Sequence, residues 1–137
     1  MNRIKTVLES RLRAALRGTA GFSLIELLVV VLIIGILAAI AIPIFLGQQE
    51  QAKDAAAKSD LGNAKIAIVS YSIDNGGSYV GADATTIAPF GYSGTTGVTA
   101  FAITIDGNTF CIEATSDAGN TFSVTESSGV GEGACAG

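Results

Sequence analysis

The sequence of 137 residues contains no histidine and no tryptophan, and only two cysteines and two prolines. Without an imidazole the chain cannot supply a histidine base, a histidine ligand for zinc or a histidine-activated nucleophile. Charged residues are also scarce, at 15% of the chain against 49% hydrophobic residues. We therefore expect no enzyme activity, no cofactor and no metal, and we expect the apolar residues to be clustered.

The apolar residues are concentrated in one run, Leu27 to Leu46, which contains no charge. A helix of about twenty residues rises roughly 30 Å, the thickness of the hydrocarbon core of a bilayer. Residues 1–21 carry five basic side chains and one acid, whereas residues 22–137 carry three basic side chains and eleven acids. The positive-inside rule places the basic end in the cytoplasm and everything after the run across the membrane. The acidic remainder would repel phosphates, so we expect no direct nucleic-acid binding.

Three interpretations of this run are open from the residues alone. It is a single-pass anchor that stays in the membrane, or it is part of a secretory signal peptide that is cut before Ile42, after Ala39-Ile40-Ala41. The third interpretation depends on the six residues that precede the run, Gly21-Phe22-Ser23-Leu24-Ile25-Glu26.

Glu26 is the unusual residue, because a carboxylate beside a long apolar helix is costly to place at membrane depth. Cleavage between Gly21 and Phe22 would create a cation, an α-amine four residues from this carboxylate. Between staggered neighbouring subunits the two charges could pair across an otherwise apolar interface. In such an interface an unpaired charge is costly, whereas a paired charge specifies the register between the two subunits.

Gly21-Phe22-Ser23-Leu24-Ile25-Glu26 and the run that follows resemble the type III signal sequence and N-terminal methylation motif of type IV pilins. The resemblance is close over about residues 18–50. It implies that prepilin peptidase cuts after Gly21 at the cytoplasmic membrane face and that the new amine of Phe22 is N-methylated. It also gives Glu26 the role of the assembly glutamate of the family.

The expected fold is α+β and pilin-like, with a long N-terminal helix packed on a small antiparallel sheet. We expect a cleaved basic leader at residues 1–21, a transmembrane and assembly helix at 22–46 and an amphipathic continuation of that helix at 47–74. A globular head follows at 75–137. Pro43, with Gly35 eight residues before it, predicts a kink near Ile40 to Ile42.

The amphipathic part of the helix shows an apolar stripe at helical spacing that is suited to packing on a sheet. Its members are Leu61, Ala64, Ile68 and Tyr71, and we expect Ile66, Val69 and Ile73 to broaden the same face. Asn75-Gly76-Gly77 predicts the end of the helix, and the Gly-, Ser- and Thr-rich residues 78–97 predict a long loop.

Three alternating segments then predict an antiparallel meander: Phe101, Ile103 and Ile105; Phe110, Ile112 and Ala114; Phe122 and Val124. Cys111 and Cys135 can form a disulfide in an oxidising compartment, with free thiols as the alternative. The bridge matches the C-terminal disulfide loop that many pilins carry.

The predicted function is a structural subunit, a major pilin of a type IV pilus that serves adhesion, motility or DNA uptake. The resemblance implies as partners identical subunits, prepilin peptidase, an inner-membrane assembly platform with its ATPase, and membrane lipid before assembly. It implies a prepilin in the cytoplasmic membrane, with its leader in the cytoplasm and its head outside, and later an extracellular filament. The alternatives are a pseudopilin of a type II secretion or competence system and, more remotely, an anchored or secreted soluble domain.

Overall fold

The computed structural model describes residues 21–136. The predicted leader therefore lies outside the described residues, except for Gly21. The chain divides into two units, Met1–Pro43 and Ile44–Gly137. One helix, α1, runs from Leu24 to Asp74 and contains residues of both units.

The first part of α1 is apolar on every side. Within the described chain, the large apolar side chains from Phe22 to Leu46 are 44–81% exposed. The most apolar window of α1 has a mean hydropathy of 3.2, so the helix is long and apolar enough to cross a membrane. Side chains of this kind require a lipid or protein surface around them.

The head is built on an antiparallel sheet of four strands in the order β1-β2-β3-β4. The strands are β1 at Val98–Asp106, β2 at Thr109–Ser116, β3 at Thr121–Thr125 and β4 at Gly131–Glu132. A short 3-10 helix at Ala88–Phe90 interrupts the long loop before the sheet. The predicted α+β architecture is confirmed. Strand β4 was not predicted, because two residues are too few to show an alternation of apolar and polar side chains.

The hydrophobic core lies between the second part of α1 and one face of the sheet. The strands contribute Phe110, Ile112, Ala114, Phe122 and Val124, each at most 3% exposed, from alternate positions. The helix contributes Ala57, Leu61, Ala64, Ala67 and Ile68, all fully buried. Tyr79, Ile87 and Tyr92 from the loop are also buried in this core.

The predicted stripe on α1 is correct for Leu61, Ala64 and Ile68, but the broadened face is wrong. Ile66 and Ile73 are 67% and 73% exposed, and Val69 is 37% exposed. At about 100° per residue these three side chains lie on the side of the helix away from Leu61 and Ile68. Ala57 instead extends the buried stripe by one turn, and Ala67 lies at its edge, because the head covers only one side of the helix.

Candidate functional site

The start of α1 is capped by the glutamate that the sequence singled out. The backbone N–H of Ser23 donates to Oε2 of Glu26 at 2.9 Å, and the N–H of Leu27 donates to the carbonyl of Ser23 at 3.2 Å. Since the helix begins at Leu24, Ser23 is the capping residue and Glu26 is the third residue of the helix. This is one half of a capping box, in which a Glu side chain returns to the backbone of the capping Ser.

The S-x-x-E spacing was a readable signal for this cap, and our sequence analysis missed it. A carboxylate in the first turn also lies where the helix dipole favours negative charge. This bond therefore satisfies part of the hydrogen-bonding capacity of the Glu26 carboxylate within the subunit itself. In the uncleaved chain Phe22 has an amide nitrogen, so the predicted amine arises only after cleavage.

Phe22 and Glu26, the residues predicted for methylation and assembly, lie close together at the start of α1. Phe22 and Glu26 line one shallow depression of about 410 Å³, together with Ile25, Val29 and Val30. The Phe22 side chain is 80% exposed. Cleavage after Gly21, methylation of Phe22 and assembly through Glu26 stay predictions.

The two residues expected to weaken the helix are both inside α1. Pro43 lies within the continuous assignment from Leu24 to Asp74. At Gly35 a Cβ atom would meet nothing within 4 Å among the described residues. The kink near Ile40 to Ile42 stays a prediction.

The predicted disulfide between Cys111 and Cys135 is present and closes the end of the chain onto β2. The two Cα atoms are 5.9 Å apart, and the residues are separated by 24 positions. The N–H of Cys135 also donates to Oε2 of Glu113 at 3.1 Å. Because Glu113 and Cys111 lie on the same outer face of β2, the strand holds the tail by a covalent bond and a hydrogen bond.

Two aspartates of α1 attach the helix to distant parts of the head. Asp60 is fully buried and accepts hydrogen bonds from the N–H and the Oγ1 of Thr95, at 2.9 and 3.0 Å. Asp54 accepts bonds from Ser116 Oγ at 2.6 Å and from Asn120 Nδ2 at 2.9 Å. Our sequence analysis missed these contacts, because the partners are 35 to 66 residues away from the aspartates.

These polar contacts also change the acidity of the groups involved. The hydrogen bond from the Ser116 hydroxyl holds the pKa of Asp54 below its usual value of 3.8. Desolvation opposes this effect, and the Asn120 amide and the nearby charge of Lys58 add to it. Burial, with the Asp60 carboxylate nearby, raises the pKa of Tyr92 to about 12. Asp54 and Tyr92 both lie in the unit Ile44–Gly137, and their pKa shifts make the stability of this unit depend on pH.

Comparison with known proteins identifies the family. The model of the prokaryotic N-terminal methylation motif matches residues 16–42. The type IV wide pilus major component of Thermus thermophilus is 35% identical over 116 residues, which cover 84% of this chain and 88% of that protein. The chain belongs to the type IV pilin family.

Other relatives match this pilin over shorter stretches. The type II secretion system core protein G of Pseudomonas aeruginosa is 44% identical over 59 residues, 43% of this chain and 42% of that protein. The type IV major pilin protein of Myxococcus xanthus is 61% identical over 41 residues, 30% of this chain and 19% of that protein. The pilin thus spans less than half the length of these two relatives, and no solved structure gives a significant match.

Proposed function

We propose that this pilin is the major subunit of a type IV pilus, a structural protein without catalytic activity. The observation that carries the proposal is the match to the Thermus thermophilus pilus component, because it extends over 84% of the chain. A match of 116 residues extends far beyond residues 16–42, to which the N-terminal motif is confined. The exposed apolar side chains of residues 22–46 are the second support, since they need a covering surface outside lipid.

The proposed pathway begins with a prepilin in the cytoplasmic membrane. Prepilin peptidase cuts after Gly21, and Phe22 becomes N-methylated. An inner-membrane platform and its ATPase then move the subunit into an extracellular filament. The amine of Phe22 on one copy pairs there with Glu26 of another, which fixes the register of the apolar helices.

Mass spectrometry of the N-terminal peptide from protein sheared off the cell surface tests the processing. The expected peptide begins with methylated Phe22. A start at Ile42 would instead identify a secreted soluble domain. Recovery of intact Met1 only in membranes would identify a plain anchor.

The assembly role of Glu26 is tested by Glu26→Ala, with Glu50→Ala as the matched control on an exposed turn of the same helix. We expect Glu26→Ala to leave cleavage largely intact and to reduce surface filaments, while Glu50→Ala forms filaments normally. Normal filaments from Glu26→Ala would refute the pairing of Glu26 with Phe22.

The second candidate function is a pseudopilin of a type II secretion system, which the match to core protein G supports. Deletion of the gene separates the two functions. Loss of surface pili with normal protein secretion favours the pilin, whereas retained pili with accumulation of secreted proteins inside the cell envelope favours the pseudopilin.

A further inference from the structure

Strand β1 forms one edge of the sheet and has open backbone groups along its outer side. It pairs with β2, and no other strand among the described residues joins its second side. A two-residue hairpin joins β1 to β2, so the first pair, Asp106 with Thr109, is hydrogen-bonded, and bonded pairs then alternate along the strands. The residues that direct their N–H and C=O groups away from β2 are therefore Phe101, Ile103 and Ile105. No other backbone group of the described chain bonds to them.

Open backbone groups on a sheet edge accept a further strand, and most natural edges carry a charge, a proline, a bulge or a very short strand that prevents this. In β1 the register shift between Val98 and Ala100 is confined to the start of the strand. Residues 100–105 contain no charge and no proline. The opposite edge is protected, because β4 has only two residues and one of them is Glu132. The sheet can therefore be extended at β1 but not at β4.

The residues with open backbone groups also have apolar side chains that the subunit covers incompletely. Phe101, Ile103 and Ile105 pack against the core and alternate with exposed positions, but all three are only partly buried. Their counterparts in the inner strands, Ile112 and Val124, are at most 1% exposed. A strand added beside β1 would cover these side chains and bond to their backbone groups at the same time.

We propose that β1 pairs in antiparallel orientation with β1 of a second copy, and that this contact joins two filaments side by side. The proposal rests on the proposed function, in which the copies polymerise. A contact between two β1 strands is isologous, so it closes after two copies. The proposed pairing of Phe22 with Glu26 is heterologous and gives all copies of one filament the same direction. The second β1 must therefore come from another filament.

A second copy of the chain is the fitting partner because β1 is uncharged within an acidic head. Residues 22–137 carry eleven acids and three basic side chains, yet residues 84–105 carry no charge. Two acidic heads repel each other in most orientations. At β1 they can meet without opposing carboxylates.

The sequence of β1 also fits itself when the two copies are aligned with Ile103 opposite Ile103. The facing pairs are then Ile103 with Ile103, Phe101 with Ile105, Ala102 with Thr104 and Ala100 with Asp106. Aromatic and β-branched side chains opposite each other are favourable cross-strand pairs. The carboxylate of Asp106 faces the methyl group of Ala100, so like charges do not oppose each other in this register.

The test uses filaments of the full chain, sheared from cells that make either Ala102→Cys or Thr104→Cys. Residues opposite each other in a non-hydrogen-bonded antiparallel pair have Cα atoms about 4.5 Å apart, within the range of a disulfide. We expect a covalent dimer when the two kinds of filament are mixed and oxidised. Either kind alone should give no more dimer than the unaltered chain, because its new thiols would lie on a diagonal and too far apart.

Charge variants at the same two exposed positions test the contact by association of filaments, measured by low-speed sedimentation and electron microscopy. Ala102→Lys with Thr104→Lys places lysine opposite lysine, and we expect the sedimented fraction to fall at least about tenfold. Ala102→Lys with Thr104→Glu places opposite charges in the same pairs and should retain association. Thr85→Lys with Ser127→Lys is the matched control, because it changes the net charge equally at exposed positions outside β1 and should also retain association.

The proposal is overturned if filaments form but the mixture gives no dimer, or if a dimer forms only when both cysteine variants are made in one cell. The second result would place the contact within a filament. Unchanged association of the double lysine variant, or equal loss in the lysine and glutamate variant, would also contradict it. If the unaltered chain forms no filaments, the proposed function fails and this proposal fails with it. If filaments form without the cross-link, only the β1 proposal fails.

Discussion

The contact between Asp60 and Thr95 is expected to be a main anchor of the long loop of the head. Asp60 is fully buried, and Thr95 supplies hydrogen bonds from its backbone and its hydroxyl to the two carboxylate oxygens. A hydrogen bond to a charged group contributes about 1.5–3 kcal/mol, and its loss leaves a buried acceptor without a partner. Thr95→Ala removes the hydroxyl bond and retains the backbone bond, so we expect the free energy of unfolding to fall by about 1.5–3 kcal/mol.

Two control variants separate this bond from a general effect of the loop. Thr95→Ser keeps the hydroxyl and should change the free energy of unfolding by less than about 0.5 kcal/mol. Thr96 is exposed like Thr95, but its hydroxyl makes no hydrogen bond within the described residues, so Thr96→Ala should have a similarly small effect.

Urea unfolding of the full chain in detergent, followed by tyrosine fluorescence and near-ultraviolet circular dichroism, measures these changes. The midpoint should move for Thr95→Ala at an unchanged slope, because a similar surface is exposed on unfolding. The reasoning is refuted if Thr95→Ala and Thr96→Ala have the same midpoint. The reasoning would also be contradicted if Thr95→Ser lowered the free energy of unfolding as much as Thr95→Ala.

Three further predictions concern the head. Replacing Cys111 and Cys135 by Ser should lower the free energy of unfolding by about 3.5 kcal/mol in the chain-entropy model, as measured by urea unfolding against the oxidised chain. Because the folded-state pKa of Tyr92 is raised to about 12, the unfolded chain loses this proton first, and stability should fall above about pH 10 in the unaltered chain but less in Tyr92→Phe. Because the folded-state pKa of Asp54 is lowered, the unfolded chain binds a proton first on acidification, so stability should fall below about pH 4. That acid-side loss should be smaller in Ser116→Ala, as thermal unfolding across pH will show.

The sequence predicted the main elements of the fold because their hydrophobic periods are clear and because each strand pairs with its neighbour in the sequence. The three sheet segments alternate apolar and polar residues over hairpins, and each apolar set faces the core. Ile66 and Ile68 show where the apolar pattern of α1 stops being informative. Both sides of α1 carry aliphatic residues at helical spacing, and only the tertiary structure shows that the sheet covers Ile68 and leaves Ile66 exposed.

The polar contacts were not predictable for a different reason. Asp60 sits in an Ala-rich helical stretch, where a charged residue is ordinarily placed on the solvated face. Its partner Thr95 is one of several hydroxyl residues in a loop without periodicity, 35 positions later. By contrast, the candidate assembly site is local: residues 21–26 carry the motif, and the S-x-x-E spacing within it contains the cap.

The apolar segment of α1 and the capped carboxylate of Glu26 together indicate how an assembled register would be selected. Lipid tails are about as apolar as leucine, so moving residues 24–46 from lipid to other subunits changes their apolar burial very little. Uniform apolar contact therefore cannot by itself distinguish one axial register from another. In the proposed filament Glu26 would do so, because its carboxylate, which accepts one bond from Ser23 within the subunit, would gain a charge partner only in the register that brings the Phe22 amine of another copy to it.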